Sequence, residues 1–152
     1  MSEHKASLNW QLSDGDFLKG RYSRKHTWSF DGGLSVPASP SPSVVPPPYS
    51  DPGAVDPEEA YVASLASCHM LTFLYLASRK KFEVSAYEDE AVGTMAKADN
   101  GVRWVARVVL NPRVTYRGDN KPSPEEEERL HHTAHEQCFI ANSVKTEIVV
   151  KG

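Results

Sequence analysis

The chain has 152 residues, of which 39% are hydrophobic and 24% charged, which fits a single domain, 1–152, with a core that needs no staples. A net charge of −3 argues against a general nucleic-acid binder, and no basic segment leads into an apolar run as a secretory signal would. Two cysteines seventy positions apart make no disulfide framework, so a reducing, cytoplasmic setting is expected, where such a pair serves catalysis, metal binding or packing.

Ala6 to Leu12 alternates, with Leu8, Trp10 and Leu12 on one side, and predicts a strand. Ser13–Asp16 is a turn. Tyr22 to Phe30 predicts a second strand, closed by the hairpin turn Asp31-Gly32-Gly33. Val36 to Pro57 holds eight of the eleven prolines, which argues against regular structure and for a stiff loop.

Asp56 to Lys80 predicts the central helix. Asp56 is placed to cap it, Pro57 suits the first helical position, and Glu59 stands where a capping box needs it. Ala60 to Ala77 contains no Lys, Arg, Asp or Glu, and apolar side chains surround the wheel, so the helix is expected to be buried on all sides. Ser64, Ser67, Cys68, His69 and Thr72 interrupt it too often for a membrane span.

Phe82 to Lys97 and Val102 to Tyr116 predict two long strands joined at Asp99-Asn100-Gly101, a strong hairpin signal. Ser123-Pro124-Glu125-Glu126 repeats the helix-opening device, and a helix follows to about Glu136 with His131 and His132 read as a polar face. Cys138 falls at or just beyond its end, and Val144 to Val150 predicts a final strand. Hairpin-joined strands around a buried central helix give an α+β fold with mostly antiparallel sheets.

Two constellations carry chemistry. A thiol acts as a nucleophile only when ionised, which needs a cation or a hydrogen-bond donor to hold the charge. Cys68, with Arg21 or Arg24 as the cation and Glu58 or Glu59 to orient it, would make such a site, with Cys138 trapping the oxidised sulfur. Alternatively Cys68 is a core residue. The other constellation is a metal site from His131, His135 and Cys138, at i, i+4 and i+7, with Cys68 as the fourth ligand. No CxxC supports it.

The run DPEEAYVASLASCHMLTFL, followed seventy residues later by HEQCFIANSV, resembles the OsmC/Ohr family of thiol-dependent peroxidases. The resemblance implies an OsmC-like fold, an intertwined homodimer, organic hydroperoxides as substrate, an external dithiol as reductant, and no cofactor. It casts Cys68 as the peroxidatic thiol and Cys138 as the resolving one. Pro57-Glu58 matches the family's Pro-Glu, so Glu58 orients the arginine, for which Arg24 is preferred and Arg21 is the alternative. Phe139 stands where the family often has Pro after the second Cys. His69, the cluster His131/His132/His135 and the long proline-rich loop also depart from the pattern and mark a distinct subgroup.

The two other readings are a non-catalytic redox-sensing or ligand-binding module and a small zinc protein. A homodimer is also expected on geometry. Glu58 and Cys68 are ten residues apart, about 15 Å along a straight helix, with no Pro or Gly between them. If both serve one site, the helix bends or two chains contribute, Glu58 and Arg24 of one protomer approaching Cys68 of the other. Neither nucleic acid nor membrane is expected as a partner.

Overall fold

The computed structural model describes Met1–Gly152. The chain forms two compact units, Met1–Ala60 and Tyr61–Gly152.

In the first unit, β1 (Ala6–Asn9), β4 (His26–Phe30) and β5 (Ser35–Ala38) form an antiparallel sheet in the order β1-β4-β5. The predicted first strand stops at Asn9. The predicted second strand is two pieces. β3 (Arg21–Tyr22) pairs with β2 (Gly15–Asp16), and the chain breaks at Ser23–Lys25 before β4 begins. Phe30 N–H donates to Leu34 O at 2.9 Å, closing the hairpin that Asp31-Gly32-Gly33 predicts.

β5 corrects the expectation that the proline-rich stretch holds no strand. Pro37 pairs with Thr27 on the outer strand of the sheet, and its carbonyl faces outward to accept Val55 N–H at 3.1 Å. The donor that proline lacks would lie on that same outer edge, where the ladder does not need it.

Helix α1 (Pro57–Arg79) opens with the predicted box: Glu59 N–H donates to Asp56 Oδ1 at 2.8 Å and Asp56 N–H to Glu59 Oε1 at 3.0 Å. In the second unit its buried stripe is Leu65, His69, Phe73 and Ala77, four residues at i+4 spacing. The helix has the length and apolarity to cross a membrane, yet this stripe packs into the protein's own core. The expectation of burial on all sides does not hold. Leu71 and Tyr75 are 60% and 59% exposed, because protein covers one side of the helix only.

The two long strand runs each divide. β6 (Val84–Asp89) pairs with β9 (Pro112–Tyr116), and β7 (Val92–Lys97) with β8 (Arg103–Leu110), so one extended hairpin feeds two sheets. The division falls where the Asp89 carboxylate takes Asn111 N–H at 2.7 Å and Pro112 offers no donor. At the hairpin tip Gly101 has φ +85°, a conformation glycine tolerates. Gly93 answers a different need: a Cβ there would stand 2.6 Å from Val62 Cγ2, so glycine lets β7 approach α1.

Helix α2 (Pro124–Gln137) carries the full Ser123/Glu126 capping box. A 3-10 turn, Ala141–Ser143, precedes β10 (Glu147–Val150), which lies parallel to β8 and is shorter than the predicted Val144–Val150. Two apolar clusters result. Phe73, Ala77, Phe82, Leu130 and Ala134 form one; Leu65, Val108 and Leu110 form the other. His69 occupies the stripe position between them. Two helices and mainly antiparallel sheets make the α+β arrangement expected.

Candidate active site

Cys68 lies at mid-helix on α1, beside the buried stripe and half-buried. Thr72 Oγ1 donates to its carbonyl at 2.9 Å. Cys138 is the residue that ends α2, and it is 1% exposed. Its carbonyl accepts Asn142 N–H at 3.1 Å and Asn142 Nδ2 at 2.8 Å, and Ala141 N–H donates to its sulfur at 3.5 Å. The turn after α2 therefore fixes where this thiol points.

The two thiols are neighbours. Burial, above all, and then the adjacent Cys68 push the Cys138 pKa up to about 11, while the Ala141 and Ile140 N–H groups pull the other way. Cys138 thus keeps its proton beside Cys68. Both cysteines are reduced. A cation or donor is expected beside Cys68; its neighbour is the protonated thiol of Cys138, which spacing alone does not reveal.

The remaining expected site residues lie in the first unit. Arg24 Nη1 donates to Tyr22 O at 2.7 Å and to Gly20 O at 3.1 Å, and its guanidinium stacks 3.7 Å over the Tyr22 ring. Arg21 is exposed in β3, in register with Asp16. Glu58 Oε2 is buried and has no hydrogen-bond partner, whereas Glu59 is consumed by the helix cap. Glu58 and Arg24 form no ion pair with each other. The helix runs unbroken from Glu58 to Cys68, which leaves them about 15 Å apart along its axis.

No three His, Cys, Asp or Glu side chains converge to hold a metal ion. The histidines point elsewhere. His132 Nε2 lies 3.0 Å from the Glu136 carboxylate on the exposed face. His131 is 4% exposed, which corrects its reading as polar surface. Its Nδ1 lies 3.0 Å from Nε2 of His69, itself 1% exposed. Their rings are nearly parallel with centroids 5.3 Å apart, and Phe73 stacks on His131 at 4.3 Å. Burial pushes the His69 pKa down to about 4 and lowers that of His131, against the pull of Glu127 and Asp89. The sequence carries a signal for this pair: Leu65, His69, Phe73 and Ala77 repeat every four residues, and so do Glu127, His131 and His135.

A family model described as OsmC-like protein matches residues 50–151. The chain is 51% identical to an OsmC-like protein of unknown function from Vibrio cholerae O1 biovar eltor, over 99% of both chains, with a TM-score of 0.96. An organic hydroperoxide resistance protein OsmC from Legionella pneumophila is 18% identical over 99% of this chain and 95% of its own, TM-score 0.71. An organic hydroperoxide resistance protein from Elizabethkingia anophelis is 17% identical over 99% and 94%, TM-score 0.72. The last two likenesses establish a shared fold. No curated protein matches the sequence significantly.

Proposed function

This chain belongs to the OsmC-like protein family, and from that premise we propose that it is a thiol-dependent peroxidase that reduces organic hydroperoxides. One observation carries the reading: a half-buried thiol, Cys68, neighbours a buried thiol, Cys138, that keeps its own proton. The first is open to a substrate, and the second is sheltered from it and within reach of the first.

In the first step the Cys68 thiolate attacks the distal oxygen of ROOH. The O–O bond breaks, the alkoxide takes up a proton and leaves as alcohol, and Cys68 becomes a sulfenic acid. Cys138 then attacks that sulfur. Its S–S bond forms as the S–O bond breaks, and hydroxide leaves as water with the proton Cys138 has held. An external dithiol reduces the disulfide by two exchanges and is itself oxidised. Cytoplasmic thiol pools would supply such a reductant.

Arg24 is assigned to hold the thiolate and polarise the peroxide, and Glu58 to orient Arg24. The support for Glu58 is its buried, unpartnered Oε2, which a guanidinium would satisfy. The support for Arg24 is the family likeness. A homodimer completes this reading, because one helix separates Glu58 from Cys68 and because Leu71 and Tyr75 leave an apolar face of α1 bare. Apolar surroundings favour an alkyl hydroperoxide over hydrogen peroxide, which gains little from them.

The test is one equivalent of an alkyl hydroperoxide added to the reduced protein, followed by thiol counting and mass mapping. The reading requires both thiols to disappear, in a single disulfide joining positions 68 and 138, with one alcohol released. Two thiols left intact would end it. Sedimentation at low micromolar concentration checks the dimer; a stable, fully active monomer would remove the composite site.

A further inference from the structure

We propose that His69 and His131 are positioning residues for closure of the Cys68–Cys138 disulfide. Their hydrogen bond fixes α1 against α2 so that the two sulfurs meet. The proposal rests on the dithiol site described above, not on what oxidises that site.

His69 is the residue after Cys68 on α1. His131 stands seven residues before Cys138, two turns back along the same side of α2. No other side-chain hydrogen bond joins the two helices; the remaining contact is the apolar packing of Phe73 and Ala77 with Leu130 and Ala134. Apolar packing resists separation but has no direction, so by itself it tolerates small slides and rolls. A hydrogen bond of 3.0 Å between two rings held in a close-packed core does not. Phe73 stacks on the face of the His131 ring, and His69 meets that ring at its edge, nearly in the same plane.

A disulfide is demanding in just the coordinate this strut controls. Its S–S length is about 2.05 Å and its Cα atoms must come within about 4.4–6.8 Å of each other. Cys138 sits beyond the last turn of α2, so a small roll of that helix is amplified at its sulfur. The strut lies one residue from one thiol and two turns from the other. It is also kept neutral by its surroundings. The titratable groups that face it are His135 and Glu127 on α2 and Asp89 on β6. With both rings uncharged, one N–H lies between the two nitrogens and the contact stays attractive.

The experiment measures the 68–138 disulfide against oxidised and reduced dithiothreitol, with no peroxide present. Position 131 is varied within one functional group. His131→Asn places an amide near where Nδ1 lies; His131→Gln carries the same amide one carbon further and misplaces it. A double variant, His69→Leu with His131→Leu, removes both polar partners together, which avoids an orphaned buried group. His131→Gln and the double variant are expected to lower the disulfide equilibrium constant about tenfold, and His131→Asn to stay within about threefold of wild type, the loss expected when one oriented hydrogen bond is removed or kept. After peroxide, the two weakened variants should also accumulate sulfinic acid at Cys68 while consuming the first equivalent at the wild-type rate. Equal equilibrium constants for the Asn, Gln and wild-type proteins would overturn the proposal, as would a wild type that closes no disulfide at all. A wild type that closes the disulfide but reduces no hydroperoxide would overturn the peroxidase reading alone.

Discussion

The two cysteines differ in every respect that governs thiol chemistry. Cys68 is in the middle of a long helix, half-buried, with its carbonyl taken up by Thr72. Cys138 closes a helix, is almost wholly buried, and is pinned by Asn142 and Ala141. One is placed to be reached and the other to be reliable. A reactive thiol needs access more than fixity, because its substrate diffuses in. A resolving thiol needs fixity, because it must reach one oxidised sulfur before a second peroxide does. The lesson is that burial, usually the mark of an inert cysteine, suits the second of two thiols when its only target is a neighbour.

The most direct way to break this contrast is to remove the accessible partner. Cys68→Ser should abolish peroxidase activity while the melting temperature stays within a few degrees of wild type, since a half-buried thiol gives way to a hydroxyl of similar shape. Retention of most of the activity with an alkyl hydroperoxide would reverse the roles. Cys138→Ser asks the complementary question. Rapid consumption should stop after about one equivalent per chain, and mass spectrometry should find sulfenic acid at Cys68 and then, as a second equivalent is consumed slowly, sulfinic acid, because nothing traps the first product. Sustained turnover by that variant with a dithiol reductant would show that resolution does not need Cys138.

Arg24 sharpens the comparison from the other side. Lysine keeps the charge and loses the fork of donors. Arg24→Lys is expected to lower kcat/KM by about a hundredfold, the scale of one lost electrostatic contact in a transition state. Arg21→Lys, on an exposed strand end, should cost less than about threefold. The opposite ranking in steady-state assays would move the role to Arg21.

How much of this could be read from the chain depends on what kind of signal each feature leaves. Both helix starts were legible to the residue, because Asp56/Glu59 and Ser123/Glu126 are local hydrogen-bond devices whose partners lie three positions apart. The Asn100-Gly101 hairpin was legible for the same reason. The split of the long strands was not: it depends on Asp89 reaching Asn111 across the hairpin, and no local pattern encodes that. Nor could composition say which side of α1 faces protein. Leu71 and Phe73 are both apolar, yet one is 60% exposed and the other fully buried. The two thiols carry the family spacing, but their being neighbours is tertiary and leaves no local pattern. His132 is the surface residue the sequence predicts and His131 is not, because the same residue type serves as surface and as core. His132 and His131 are adjacent, and a turn of about 100° sends one to solvent and the other to His69.

The smallest effect separates the two reasons for which Cys138 holds its proton. Its pKa in the folded protein stands at about 11, above the ordinary thiol value of 9.0, with burial the larger cause and Cys68 the next. A group whose folded pKa is raised binds its proton more tightly in the native state than in the unfolded one. The stability linked to it is therefore fully present below pH 9 and is lost as pH rises from there through about 11. At most about 3 kcal/mol is at stake. Tyr87 and Tyr116 are also raised by burial and slope the same way, so the wild-type curve alone does not isolate the thiol. The difference between wild type and Cys138→Ser does. Urea midpoints of the two proteins should converge between pH 9 and 11, because only wild type loses the thiol's share. Repeating the comparison in a Cys68→Ser background tests the order of causes. If burial dominates, most of the convergence survives without Cys68. If it vanishes, Cys68 is what keeps Cys138 protonated, and the sheltered thiol owes its state to its neighbour rather than to the core.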